Sequence, residues 1–139
     1  MARIRLAARR AAMPWLREVH TDEETHAWAA TILPAENEIW VAEADGKVVG
    51  FAAVAPGWLN HLYVEPDWQG RGIGHRLLDL AKERSPEEVL LWTFARNERA
   101  RRFYENAGFA VIEETDGAGN EEQEPDVLYR WRPEATVSQ

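Results

Sequence analysis

The chain predicts an α/β (α+β) fold with helices packed on one sheet, and three observations carry that prediction. An apolar run, Leu59 to Val64, leads into the glycine-rich stretch Gln69-Gly70-Arg71-Gly72-Ile73-Gly74, after which Ile73, Leu77, Leu80 and Ala81 recur at helical spacing. The strand-then-helix pattern repeats where Val89 to Phe94 precedes Asn97 to Gly108. Between two apolar runs, Asp45-Gly46 marks a hairpin turn.

The elements follow in order. Residues 3–18 predict a first helix, interrupted or ended near Pro14, because proline cannot continue it. Thr21-Asp22-Glu23-Glu24 is a capping box opening a second helix, expected to stop before Pro34. The hairpin joins Glu38–Glu43 to Lys47–Val54, and Pro56-Gly57 turns the chain into a strand over 58–64. A helix then runs to Arg84, a strand spans 89–94, and a helix from Glu98 ends at Gly108 as a left-handed C′ residue. Phe109–Thr115 and Val127–Trp131 make a last strand pair. With no repeat and no linker, residues 1–139 predict a single domain.

Composition narrows the function classes. At 139 residues and 45% hydrophobic the chain has material for one core. Without cysteine it has neither a disulfide framework nor a cysteine nucleophile, and no metal ligands are proposed. No run approaches a membrane span, and a formal charge of −8 argues against nucleic-acid binding. A cytoplasmic protein is expected. Five arginines in residues 1–20 superficially suggest a transit peptide, but an amphipathic first helix of the domain is the reading taken.

A strand, a glycine turn and a helix N-terminus collect unpaired backbone N–H groups at the positive end of a helix dipole, which suits a phosphate-like anion. The three glycines are expected to allow close approach of that ligand to the backbone. Gly74 is followed by His75-Arg76, so this is no Walker loop, and Gly-x-Gly-x-Gly is not the dinucleotide fingerprint. Gln69, Gly72 and Gly74 fill Gln/Arg-x-x-Gly-x-Gly/Ala. That stretch resembles the pyrophosphate loop of the GNAT superfamily of acyl-CoA-dependent N-acyltransferases. The later block, Asn97, seven residues on Tyr104, then Gly108-Phe109, is similar to the superfamily's second signature. Two helical turns put Asn97 and Tyr104 on one face, roughly 10 Å apart along the axis. The resemblance spans residues 38 to 131.

The resemblance implies a mixed, mostly antiparallel central sheet flanked by helices. Family members open with a strand, whereas helix periodicity here begins almost at Met1. That strand is expected to be short or absent, leaving a sheet edge free for cover or for a homodimer. The resemblance further implies acetyl-CoA as cofactor. Backbone groups of Leu62, Tyr63 and Val64 would face the acyl carbonyl, an oxyanion donor of this kind being worth about 3 to 4 kcal/mol. The loop Gln69, Gly70, Arg71, Gly72, Ile73 and Gly74 would hold the pyrophosphate. Asn97 would contact the pantetheine arm, with Arg101 and Phe103 on the same helix also binding the cofactor. Tyr104 would hydrogen-bond the departing thiolate. A tyrosine near pKa 10 and a thiol near about 8.5 make full proton transfer uphill by about 2 kcal/mol, so a shared proton is expected. Asn97 also suits an N-cap, and the two roles are compatible.

The base is the gap. Deprotonating a lysine-like ammonium at pH 7 costs about 4.6 kcal/mol. The strand positions that carry Glu or His in many family members are Asn60 and Trp58 here, and neither takes a proton. His61 is adjacent but strand alternation points it to the opposite face unless a bulge intervenes. Asn60 is therefore read as positioning a water. His20, beside a helix N-cap, is the ionisable group preferred from the 13–21 segment. The acidic loop offers Glu122, Glu124 or Asp126 as a cation trap for an amine, although such runs are usually solvated. Trp15 and Trp58 are pocket candidates hinting at an aromatic or narrow acceptor, while His26 and His75 read as surface groups. The reading is acetyl transfer to a small-molecule or peptide amine by direct attack. Its rival is a non-catalytic acyl-CoA sensor of the same fold.

Overall fold

The computed structural model describes residues 1–134. Helix α1 (Ala2–Ala12) buries Ala2, Ile4 and Ala8 and ends just ahead of Pro14. Helix α2 (Asp22–Glu36) starts on the expected capping box, the Thr21 hydroxyl accepting from the Glu24 amide and the Glu24 carboxylate from the Thr21 amide. It does not stop before Pro34 but includes it. Pro34 lies in the last turn, where it removes the hydrogen bond to the Ala30 carbonyl but few residues follow to be displaced, and Asn37 Nδ2 donates to the Leu33 carbonyl at 3.0 Å to close the end.

Strands β1 (Glu38–Ala44) and β2 (Lys47–Ala55) form the hairpin, with Asp45 and Gly46 both at positive φ, 52° and 76°. Strand β3 (Trp58–Val64) follows, then helix α3 (Ile73–Arg84), strand β4 (Val89–Phe94), helix α4 (Glu98–Asn106), and strands β5 (Ala110–Glu114) and β6 (Asp126–Trp131). The sheet order is β1-β2-β3-β4-β6-β5, antiparallel except where β3 meets β4. The opening strand is absent, since α1 occupies that stretch. Among the described residues β1 therefore has no outer partner, and Trp40 and Val41 on it are exposed.

Each sheet face carries its own core. Leu77, Leu78 and Ala81 of α3 pack with Leu59, Leu91, Val127 and Tyr129 on one face. Ile4, Ala29 and Leu33 of α1 and α2 pack on Phe51 and Ala53 on the other. No helix of the described residues is long and apolar enough to cross a membrane.

Two irregularities shape the centre of the sheet. Strands β3 and β4 pair only at Trp58 and Leu90, so beyond that point they part and leave a gap. In β3, Ala53 faces His61 and Val54 faces Leu59, which leaves Asn60 as a bulge. The bulge puts Leu59 on the face of Leu62 and Val64 and turns Trp58 to the other. The uninterrupted alternation assumed for 58, 60, 62 and 64 therefore does not hold.

Candidate active site

The gap between β3 and β4 opens into a cavity of about 520 Å³. The end that the resemblance would give to the acyl donor is made of backbone. Val49 and Glu65 are hydrogen-bonded across β2 and β3, through the Glu65 amide at 2.8 Å. Alternation then makes Leu62 and Val64 non-hydrogen-bonded positions, opposite Ala52 and Gly50, so their N–H and C=O groups point away from β2 into the gap. The side chain of Gln69 donates to the Val64 carbonyl at 3.0 Å. Gln69 thus ties the glycine loop to the strand, a role beyond filling a motif position.

The loop delivers the helix end as expected. Gly72 caps α3 at φ 83°, with no side-chain cap and no acid in the first turn, so the first amides and the positive dipole end have no protein partner. The glycines also meet a requirement of the backbone itself. Gly70 and Gly72 are required by positive φ, 78° and 83°, and a Cβ on either meets no atom within 4 Å. Only Gly74 is a matter of space, since a Cβ there would lie 3.4 Å from the Phe103 ring.

Helix α4 closes the donor end. The Asn97 Oδ1 accepts from the Ala100 amide at 3.2 Å, so Asn97 caps the helix and also lines the cavity. The helix finishes on Gly108 at φ 94°, with the Phe109 amide donating to the Tyr104 carbonyl and Gly108 to Glu105. That motif and the rings of Phe103, Phe109 and Tyr129 fix Tyr104. Its hydroxyl has no hydrogen-bond partner among the described residues, and burial pushes its pKa well up, the phenol of Tyr63 adding to the shift.

The other end, the one the resemblance would give to the acceptor, is lined by side chains from distant segments. Ala8, Arg9, Ala12 and Met13 of α1 and its end face Trp92 and Phe94 of β4, with His61 and Tyr63 between. His61 lies opposite Leu62 and Val64, as alternation dictates, yet it reaches the cavity because the gap opens on both sheet faces. Its ring packs edge-on against Trp28 at 4.9 Å. Burial, with Arg5 and Arg9 nearby, pushes its pKa down to about 4, so it is neutral at pH 7.

Of the expected site residues, the cavity brings together Asn60, Leu62, Tyr63, Val64, Gln69, Gly70, Gly72, Gly74, Asn97, Phe103, Tyr104 and Asp126. The others lie elsewhere. Arg101 turns inward to the Tyr129 hydroxyl at 2.9 Å and the Ala95 carbonyl. Arg71 stacks on Trp68, and Ile73 packs into the core. Trp58 sits at the closed end of the gap. His20 is exposed, its Nε2 2.8 Å from Glu121, whose hydrogen bond raises its pKa. Trp15 carries the Arg96 guanidinium at 4.1 Å.

The acidic loop is built rather than merely solvated. Asn120 donates to the Glu124 carbonyl and to Asp126, Thr115 donates to Asp126, and Gly117 packs where a Cβ would strike the Glu124 backbone. Its carboxylates are engaged: Glu122 with Arg9 at 3.4 Å, Glu124 with Arg96 at 3.0 Å, Glu121 with His20. Asn60 Nδ2 donates to Asn37 at 2.8 Å and pins the bulge to the end of α2, while its Oδ1 takes no side-chain partner among the described residues. His75, read as a surface group, lines the cavity against Phe103. Sequence reasoning set His61 aside on alternation, had Met13 only within the 13–21 segment, and missed Arg9, whose placement depends on how α1 docks. The one available signal was the alternation from Leu62 that sets His61 beside Tyr63.

Comparison with known proteins falls on the segment that builds this cleft. A family model described as an acetyltransferase (GNAT) domain matches residues 35–111, more than half of the chain. An uncharacterised N-acetyltransferase of Archaeoglobus fulgidus is 36% identical over 98 residues, covering 60% of this chain and 66% of that protein. The peptidyl-lysine N-acetyltransferase YiaC of Escherichia coli is 34% identical over 80 residues, 57% of this chain and 54% of that one. The apo-form solution structure of YjaB from Escherichia coli shares the fold, with TM-score 0.78, 23% identity, and coverage of 94% of this chain and 88% of that one. The matches span from 43% to 66% of the length of the first curated relatives.

Proposed function

We propose that this chain, which belongs to the GNAT acetyltransferase family, moves an acetyl group from acetyl-CoA to an amine by direct attack within a ternary complex. The observation that carries the reading is the convergence on one cavity of the unpaired Leu62 and Val64 amides, the uncapped start of α3 and the Tyr104 hydroxyl. In this reading the α3 amides hold the pyrophosphate and Asn97 Nδ2, left over from capping, meets the pantetheine arm. The amides of Leu62 and Val64 orient the thioester carbonyl and receive its developing charge, an effect of about 3 to 4 kcal/mol per donor. Residues 1–139 act as one domain, since α1 and α2, mostly outside the matched segment, cover the same sheet. A cytoplasmic setting, and pairing of two copies through β1, belong to the same reading.

Tyr104 donates a hydrogen bond to the departing sulfur. Its raised pKa makes complete transfer to a thiolate costlier than the reference values suggest, so the tyrosine proton is only shared, and the proton that the attacking nitrogen loses on becoming an amide reaches the sulfur through water. Asn60 keeps a water-positioning role through its Oδ1, and His20 receives no proton-accepting role because it stands outside the cavity. His61 as it stands is a poor base. Moving a proton from an ammonium of pKa near 10.4 to a ring near about 4 costs about 9 kcal/mol, against about 4.6 kcal/mol for release to water at pH 7. The amine therefore enters neutral.

Acetyl-CoA at about 100 times its Kd should raise the unfolding free energy by about 2.7 kcal/mol, and thiol release should follow on adding amines. The missing strand base favours a second reading, a coenzyme sensor. Stabilisation without thiol release across a broad amine panel would establish it.

A further inference from the structure

Resting on the acetyl-transfer reading, we infer that the acceptor is an amine that also carries a carboxylate, the carboxylate being received by Arg9 with Arg5 behind it. Arg5 and Arg9 lie one helical turn apart on α1, where like charges repel. Among the described residues Glu122 is the one carboxylate in ion-pair range of either, and it meets Arg9 alone, at 3.4 Å. The Nε atoms of both arginines are buried without a hydrogen-bond partner. Arg5 has the Trp28 ring at 5.0 Å and the Tyr63 phenol beside it but no carboxylate of its own, so two guanidiniums share one carboxylate in a poorly hydrated place, and an incoming anion relieves the excess charge.

Arg9 is also a cavity wall, beside the Phe94 ring at 5.8 Å. Across the β4–β6 pair, Phe94 sits opposite Asp126, the one acid among the lining residues. The slot thus presents a guanidinium to an anion and, in Asp126, whose oxygens already accept from Thr115 and Asn120, a further acceptor to the N–H groups of the amine, with Met13, Trp92 and Phe94 as apolar walls. That is the complement of an amino acid with an apolar side chain. A lysine-type trap is not available, since Glu121, Glu122 and Glu124 already hold cations. The depressed proton affinity of His61, caused in part by Arg5 and Arg9, is a second sign of the positive field.

The test compares phenylalanine, leucine and methionine with their C-terminal amides as acceptors of acetyl from acetyl-CoA. The free acids should show kcat/KM about 10- to 100-fold higher, the range expected for charge-assisted hydrogen bonds. The comparison is biased against this result, because the amine of an amide is the more easily deprotonated. Arg9→Gln should bring the acid-to-amide ratio towards one. Should that variant fail to fold, Glu122→Gln, which frees Arg9, should raise the ratio. Equal or faster turnover of the amides, or turnover confined to internal lysines of peptides, overturns the carboxylate reading and leaves acetyl transfer standing. Coenzyme binding without turnover of any amine overturns both.

Discussion

The two ends of the cavity are built by opposite means. The donor end is backbone: two strand amides exposed by a gap in the sheet, a helix start capped by a glycine, and a tyrosine held by a helix terminus. The acceptor end is side chain: α1, the β4 edge and the 116–126 loop meet through Arg9–Glu122, Arg96–Glu124 and His20–Glu121. Backbone recognition is local, because a turn and the helix after it are specified by a few consecutive residues. Side-chain recognition depends on tertiary docking. One end can stay constant in chemistry while the other is rewritten residue by residue.

Breaking the donor end at its reactive group should give the largest effect. Tyr104→Phe removes an unpartnered hydroxyl without removing packing, so kcat should fall by about 10² to 10⁴ while the melting temperature barely moves. A wild-type rate would make Tyr104 a core residue only. The acceptor end is probed best through stability against pH. His61 is depressed to about 4 in the folded state, while the unfolded ring stays near about 6.5. Between those values the unfolded chain binds the extra proton, so stability rises with pH across the window and is lost on acidification. The full span is about 3 kcal/mol. His61→Gln should remove that slope, measured as urea midpoints from pH 4 to 7, and an unchanged slope would mean the ring is not held neutral.

Gly72→Ala is a smaller lesion of the donor end. There is room for the methyl group, so the cost is the left-handed backbone, about 1 to 2 kcal/mol, and the same strain should disturb the α3 amides. Unfolding with and without acetyl-CoA separates the two effects: a loss of stability alone, with full ligand stabilisation, would show that the cap does not shape the site.

Legibility in the chain divides along the same line. The hairpin about Asp45-Gly46, the α3 and α4 boundaries and the Gly108 terminus depend on residues within a few positions of each other, and periodicity with turn chemistry read them. The absence of an opening strand was legible too, because helix spacing starts at once. Pro34 misled because the bond it removes, to the Ala30 carbonyl, is offset by tertiary packing of α2, where Leu33 is buried, and by the Asn37 side chain closing the end. Arg101 was placed at the cofactor by its neighbourhood to Tyr104, yet its guanidinium reaches the buried Tyr129 hydroxyl, a partner 28 residues away. The bulge at Asn60 has no local signature, and it moved Trp58 to the other face. The acids of the loop were visible as a run, but their cations lie on α1, beside α2 and after β4, which no spacing reveals.

The smallest expected effect concerns the clasp that these acids make. Arg96 stacks on Trp15 and bonds Glu124, but its side chain is half exposed, as are those of His20 and Glu121. Exposed pairs of this kind contribute about 0 to 1 kcal/mol and are screened by salt. Arg96→Ala should therefore lower stability by no more than about 1 kcal/mol, since it removes one such pair and one stacking contact. Its kinetic effect should be one-sided. The clasp joins segments that form the acceptor slot and touches none of the donor amides, so KM for the amine should rise severalfold while KM for acetyl-CoA stays constant. Raising ionic strength in the wild type should produce the same selective change. A matching rise in the acetyl-CoA KM in Arg96→Ala would show that the two ends are mechanically coupled, and that the division between backbone and side-chain recognition is not a division of function.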